Sequence, residues 1–377
     1  MSGLYLHIPF CRQACHYCNF HFSTSLKYKE EMVAAIAKEI RLRKDYLSDE
    51  PLQSIYFGGG TPSLLTATDI EALFAAITDT FQVREDAEIT LEANPDDISP
   101  LRLREWHYSP INRLSIGIQS FVEADLRYMN RAHSAEEAEQ CIQMAQLAGF
   151  SNLTEDLIYG TPGLSDKNWE ANVYKLIKAG VPHISCYALT VEPKTALAHQ
   201  VKVGTSPPVD EEQAARQFEL LMQWLAGAGY LHYEISNFAL PSKMAVHNSN
   251  YWRSEPYLGV GPSAHSFNGS SRQWNHANNA RYMKTLQTAE HTADLEEQLY
   301  EEEQLSAADR YNEYIMTGLR TSWGVELNRI IEPFRSHFLS KTHHYIDDKL
   351  LTKNNEKYFL TPQGRLLADK ISSELFY

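Results

Sequence analysis

Six short β-rich runs follow one another through the first half of the chain, at 4–10, 54–60, 88–95, 113–120, 154–160 and 183–189. Each is separated from the next by a helical pattern, and that alternation admits few folds. The runs are rich in Ile, Leu, Tyr or Phe, and several end in Gly or Pro, as strands buried in a parallel sheet do. Between them, Met32, Val33, Ile36, Ile40 and Leu47 keep one face of 26–47 apolar, and 135–147 and 166–178 repeat the helical period. Strand–helix units in series connect right-handedly, so a parallel sheet is expected, either barrel-like or doubly wound.

The rest of the chain reads differently. A helix is expected over 210–228 and a β-rich run over 231–240, after which Asn, Ser, Gly and aromatic residues dominate 243–279. That stretch predicts a long ordered loop, and such loops are usually functional. From 294 onward the pattern is mostly helical, opening with Glu296, Glu297, Glu301, Glu302 and Glu303, which reads as a solvated helix face. Asn354-Asn355-Glu356 predicts a hairpin, followed by a helix over TPQGRLLADKI. The expected division is therefore 1–240, 241–290 and 291–377, within the two or three domains that a prior of ~150 residues each suggests. A net charge of −14 opposes broad contact with nucleic acid or an anionic membrane surface, so no nucleic-acid partner is expected, despite a helix–hairpin ending that resembles a winged helix. No run approaches the ~18 apolar residues of a membrane span, and the start shows no signal-peptide pattern. The expected location is the cytoplasm.

Five cysteines are too few for a disulfide scaffold, yet Cys11, Cys15 and Cys18 stand together as C-x₃-C-x₂-C just after the first run. Soft thiolates so close on one loop converge on one soft metal centre. Zinc would need a fourth ligand, which His7, His16 or His21 could supply. A [4Fe–4S] cluster would instead leave one iron without a protein ligand, because position 20 is Phe20. Cys141 and Cys186 fall in a helix and a strand and read as core.

Polar residues then recur at the ends of successive runs. Gly58-Gly59-Gly60-Thr61-Pro62 closes the second, Glu92 the third, Gln119 the fourth, and Arg131 and Asp156 follow in order. Three glycines let a ligand approach backbone where a Cβ would clash. The carboxyl edge of a barrel sheet is where such residues converge into a site. Gly259-Val260-Gly261 with Ala264 fits a loose dinucleotide pattern, but Pro262 and the missing βαβ context count against it.

The segment YLHIPFCRQACHYC resembles the signature of radical S-adenosylmethionine (SAM) proteins of the oxygen-independent coproporphyrinogen III oxidase superfamily. The resemblance runs from Tyr5 to the terminal LTPQGRLLADKI. It implies an incomplete, TIM-like (β/α)₆ barrel with a smaller, mostly helical C-terminal domain. It implies a [4Fe–4S] cluster on Cys11, Cys15 and Cys18, whose open iron takes the amino and carboxylate groups of SAM, and a reductant to serve that cluster. Gly59, Gly60 and Thr61 match the segment that contacts the methionyl part of SAM. Tyr5, Tyr17, Glu92, Gln119, Arg131 and Asp156 match further SAM contacts.

The superfamily holds true oxidases, which decarboxylate coproporphyrinogen III, and HemW-type haem chaperones, which bind haem and pass it to recipient proteins. The oxidases carry one more cysteine where Phe20 stands and a longer segment before the motif. His247-Asn248-Ser249-Asn250-Tyr251-Trp252 matches HNxxYW, a signature of the chaperones, and GVGPSAHSF also resembles that group. A neutral imidazole is a common haem ligand. The resemblance thus implies His247 as the first haem-binding candidate and His265 as the second, with haem-recipient proteins as partners and oxidase activity as the alternative. Self-association through an open barrel side or a shared haem is compatible with it. Asn19 departs from the Asp that many chaperones carry beside the last cysteine.

Overall fold

The computed structural model describes residues 2–47 and 50–377. Six parallel strands form its centre: β1 (Ser2–Ile8), β2 (Leu52–Gly59), β3 (Val83–Ala93), β4 (Arg113–Gln119), β5 (Leu153–Tyr159) and β6 (His183–Ala188), hydrogen-bonded in sequence order. This is the incomplete (β/α)₆ barrel that was expected. Its helices begin where local chemistry says they should. Ser134 with Glu137 and Thr66 with Asp69 form capping boxes, satisfying donors that a helix start leaves free. The apolar faces of these helices pack on the sheet in one core containing Leu6, Ile36, Phe57, Leu91, Ile116, Leu157 and Trp169.

The sheet does not stop at six strands. On the β6 side, the run 231–240 is an antiparallel hairpin of β7 (Leu231–Glu234) and β8 (Asn237–Ala239), with β8 pairing to β6. On the β1 side, the stretch expected as an ordered loop is regular structure. It holds the helix Val246–Trp252 and the strands β9 (Tyr257–Val260), β10 (His265–Phe267) and β11 (Ser271–Asn275). β9 runs parallel to β1, and β10, β11 and β12 (Tyr300–Gln304) follow as antiparallel neighbours. The acidic residues 301–303 therefore lie on an exposed edge strand, where a helix face was expected. Gly261, from the dinucleotide lookalike, has φ +100 and sits where a Cβ would press on His7; the glycine serves strand packing.

A second core, built on Ile315, Phe338, Tyr358 and Ile371, gathers residues 311–375. There the strands β13 (Val325–Glu326), β14 (Leu351–Asn354) and β15 (Lys357–Leu360) form a small antiparallel sheet, with Asn355 at the expected hairpin turn. The terminal helix is two pieces, Pro362–Arg365 and Ala368–Glu374. No helix among the described residues is long and apolar enough to cross a membrane.

Candidate SAM and cluster site

The cysteine loop leaves β1 and returns to it. Cys11 N donates to Ser23 O at 3.0 Å and Ser23 N to Pro9 O at 2.9 Å, closing the loop at its base. Its far side is pinned to the turn after the helix Glu123–Met129. There His16 N reaches Met129 O (3.0 Å), Asn130 Nδ2 reaches Ala14 O (2.8 Å), and Gln13 Nε2 reaches Asn130 O (2.9 Å). The three cysteines are free thiols and half-buried. Burial, with the neighbouring cysteines adding to it and a Thr61 hydrogen bond opposing it, pushes the Cys11 thiol up to about 11. A bound metal cation would favour the deprotonated, ligating form.

The sequence-predicted partners gather around this loop. Arg131 donates from Nη1 to Cys15 Sγ (3.3 Å) and from Nη2 to Asn94 Oδ1 and Gly117 O (2.7 Å each). Tyr17 lies against Arg131, beside Cys15. Gln119 ends β4 with φ 69, a left-handed conformation uncommon for a residue with a Cβ, at an irregularity in the β4–β5 register. Gly117 makes room for it: a Cβ there would lie 2.8 Å from Gln119 Nε2. Gly59 has φ +106, and a Cβ would sit 2.6 Å from His7 Nδ1. A Cβ on Gly60 would meet Phe10 O at 2.6 Å, so the glycine loop passes tight beneath the start of the cysteine loop. Thr61 follows, buried, and accepts from Asn94 Nδ2 at 3.3 Å.

Glu92 accepts from the Tyr56 hydroxyl (2.7 Å) and from Gly59 N (3.2 Å). Desolvation raises its carboxyl to about 7; the Tyr56 bond opposes this and Asp156 adds to it. Asp156 is likewise raised to about 6 by desolvation, against the pull of Ser185 and Arg113. Tyr5 stacks on Tyr56, with ring centroids 6.1 Å apart, and closes the group over β1 and β2. Asn94, Tyr56 and Ser185 had not been singled out in the sequence. The alternation S-x-Y-x-G in β2 places Tyr56 on the same face as Gly58, and Asn94 stands two residues after Glu92.

His247 lies elsewhere. It is 2% exposed, in the floor of the barrel, with Nδ1 on Ser54 Oγ and Nε2 on the Tyr251 hydroxyl, both 2.8 Å. Its ring stacks on Tyr56 at 5.0 Å, and burial pushes its pKa down to about 3. Glu88 accepts from the backbone N–H groups of Val246 and His247, docking the start of this helix on the sheet. Both imidazole nitrogens are thus hydrogen-bonded inside the fold. The motif still matters: it ties the barrel floor to the underside of the Tyr5–Glu92 group.

The chemistry at the mouth fits a cluster and SAM. Buried Nε of Arg131 and buried Oγ1 of Thr161 have no partner in the protein. Glycines stand where a Cβ would fill the cradle, and three soft donors share one loop. Zinc fits less well, since the histidines that would complete its shell are held by other groups: His7 by Tyr5 and His21 O, His16 by Tyr128 O, and His21 by Asn279. Among the described residues no three such donors are gathered closely enough to hold a single metal ion.

Comparison with known proteins agrees. The radical SAM superfamily model matches residues 5–194, and the HemN C-terminal domain model matches residues 305–367. Over 98% of its length the chain is 34% identical to the heme chaperone HemW of Mycobacterium tuberculosis, covering 93% of that protein. It is 30% identical to the heme chaperone HemW of Bacillus subtilis, with 98% of each chain covered. The fold matches coproporphyrinogen III oxidase (HemN) from Escherichia coli with a TM-score of 0.85 at 22% identity, over all of this chain and 90% of that one. A cysteine loop on a six-stranded open barrel, together with near full-length likeness to these relatives, means that the chain belongs to the radical SAM superfamily and, within it, to the HemW family.

Proposed function

We propose that this protein carries haem and passes it to recipient proteins, using a SAM-ligated [4Fe–4S] cluster at the barrel mouth. The observation that carries the reading is Phe20, 67% exposed on the cluster loop, where the oxidases of the superfamily have a further cysteine. The names of the full-length relatives support the same reading. When bound, the cluster and SAM supply one-electron chemistry. The protein's own part is to hold them: Cys11, Cys15 and Cys18 carry the cluster, while Tyr5, Tyr17, Gly59, Gly60, Thr61, Glu92, Gln119, Arg131 and Asp156 surround SAM. A reductant serves the cluster. Haem is cargo, bound apart from these residues.

Anaerobic haem titration of cluster-loaded protein tests the reading. Saturable, roughly stoichiometric binding is expected, followed by transfer of the bound haem to a haem-free acceptor protein on mixing. Absence of saturable binding, with consumption of coproporphyrinogen III in the presence of SAM and a reductant, would replace the carrier by the oxidase.

A further inference from the structure

The acidic residues of this chain avoid one part of it. None of its 48 aspartates and glutamates falls before Glu30, although Arg12, Lys27 and Lys29 do. Residues 126–134 and 193–209 are likewise free of acids, and they carry Arg127, Arg131, Lys194 and Lys202. Folding brings these three segments together around the cysteine loop. His16 N donates to Met129 O (3.0 Å), and Leu197 N donates to His16 O (2.8 Å). Leu126, Met129, Ile158, Leu189 and Leu197 form a small separate core there, with Tyr17 and Val201 packed against it. The basic collar is therefore held in place before anything binds.

Two features distinguish this collar from a counterweight to a negatively charged cluster. The first is where its charges face. Arg131 already supplies a cation on the inner side, donating to Cys15 Sγ. Arg127, Lys194 and Lys202 are exposed instead, and among the described residues they form no ion pair. Carboxylates beside the collar are occupied: Asp97 is buried and paired with Arg12 at 2.9 Å, Lys29 holds Asp69, and Glu123 accepts from Ala135 N. The second feature is apolar surface on the same segments. Phe20, two residues after Cys18, is 67% exposed, Tyr28 is 48% exposed, and Val203, next to Lys202, is 54% exposed. Exposed apolar groups among unpaired cations have the make-up of a protein contact, an apolar centre with a charged rim. Four strands away from β1, the last strand of the sheet exposes Glu301, Glu302 and Glu303. Charge separated in this way orients an incoming acidic partner toward the cysteine loop.

We propose that the collar docks the protein that reduces the cluster, a small acidic one-electron carrier whose flavin or iron–sulfur centre lies near its surface. Phe20 supplies the apolar contact, and Arg127, Lys194 and Lys202 meet the carrier's carboxylates. One electron crosses: the carrier is oxidised by one, the cluster is reduced by one, and no atom is transferred. The cysteine loop suits this passage. Its three thiols are half-buried beside the collar, whereas Cys141 and Cys186 are sealed in the core. The proposal rests on the cluster reading and gives its reductant a class and a place.

The test uses full-length, cluster-loaded protein, with a purified flavodoxin as the acidic carrier. Binding is read by anaerobic calorimetry, and reduction as bleaching of the cluster's visible absorption. Binding should weaken as salt rises. Arg127→Glu combined with Lys202→Glu should weaken it about tenfold or more, and Phe20→Ala should weaken it at high salt as well as low. Reduction by reduced flavodoxin should slow in parallel, while dithionite, which needs no docking surface, should bleach every variant to the wild-type extent. Lys341→Glu, exposed on the C-terminal domain, should leave flavodoxin binding unchanged. Wild-type affinity in the doubly reversed variant, or an equal loss in Lys341→Glu, overturns the docking site; dithionite bleaching then still upholds the cluster reading. A wild-type protein with no cluster that dithionite can reduce removes that reading, and the docking site with it.

Discussion

Each side chain in the barrel interior is constrained by where its polar atoms can go. His247 satisfies Ser54 and Tyr251 at once, so its removal leaves two buried hydroxyl groups without partners and opens a void. His247→Ala should cost about 2–4 kcal/mol of stability in urea unfolding. It should also weaken SAM binding, because Tyr56 and Tyr5 stack against it. Unchanged stability and SAM affinity would show that the ring is dispensable to the barrel floor. Glu92 gives a second test. Its folded carboxyl, raised to about 7 from an ordinary 4.5, binds its proton more tightly than in the unfolded chain. The stability it contributes is full below its unfolded value and is lost as pH rises through about 7. Glu92→Gln should therefore flatten the fall in stability of cofactor-free protein between pH 5 and 8 by on the order of 2 kcal/mol. Parallel pH curves for the variant and the wild type would place the titration elsewhere.

At the scale of the element, the glycine loop after β2 is the most demanding turn. Gly59→Ala adds a Cβ in a left-handed conformation and drives it into His7, so SAM affinity measured by equilibrium dialysis should fall at least about tenfold. An unchanged affinity would mean that the loop can move aside. Sequence reading found this turn because its glycines stand together, and it placed the helices Ala135–Leu147 and Asp166–Lys178 from their apolar period. It misread β9 to β12 for a physical reason. β10 and β11 are short and face inward with Ser266, Ser271, Gln273 and Asn275, whose burial is satisfied by Gly259 O and the side chains of Asn268, Arg43 and Glu39. Periodicity of apolar residues cannot report a strand whose buried side is polar. The same blindness hid Gln119's strained backbone, which follows from tertiary context and has no local signal.

Across the whole molecule, the barrel core and the C-terminal core are joined by specific contacts. Ile235 N donates to Arg320 O, Ser322 N to Tyr233 O, and the guanidinium of Arg253 lies 4.4 Å from the centre of the Trp323 ring. Trp323→Ala should loosen the C-terminal domain from the barrel by about 1–2 kcal/mol. Faster limited proteolysis between the two cores, with the far-ultraviolet spectrum retained, is the expected sign; proteolysis at the wild-type rate would show the backbone bonds suffice. The fold itself was legible from strand count and order, whereas the burial of His247 was not, because only the assembled sheet shows which histidine is enclosed.

An open sheet has two rims, and each could recruit a stray strand from another chain. The β7 rim is four residues long and is overlain by the Arg320–Ser322 turn. The β12 rim is longer and ends the sheet with unpaired backbone groups, yet Glu301, Glu302 and Glu303 stand there in succession, all exposed. Two copies meeting rim to rim would bring six carboxylates together, a repulsion that disappears only when the glutamates are neutralised. The acidic run that gave no hint of its strand is thus a guard against amyloid-like stacking, and solubility should collapse first at this rim when the solution is acidified.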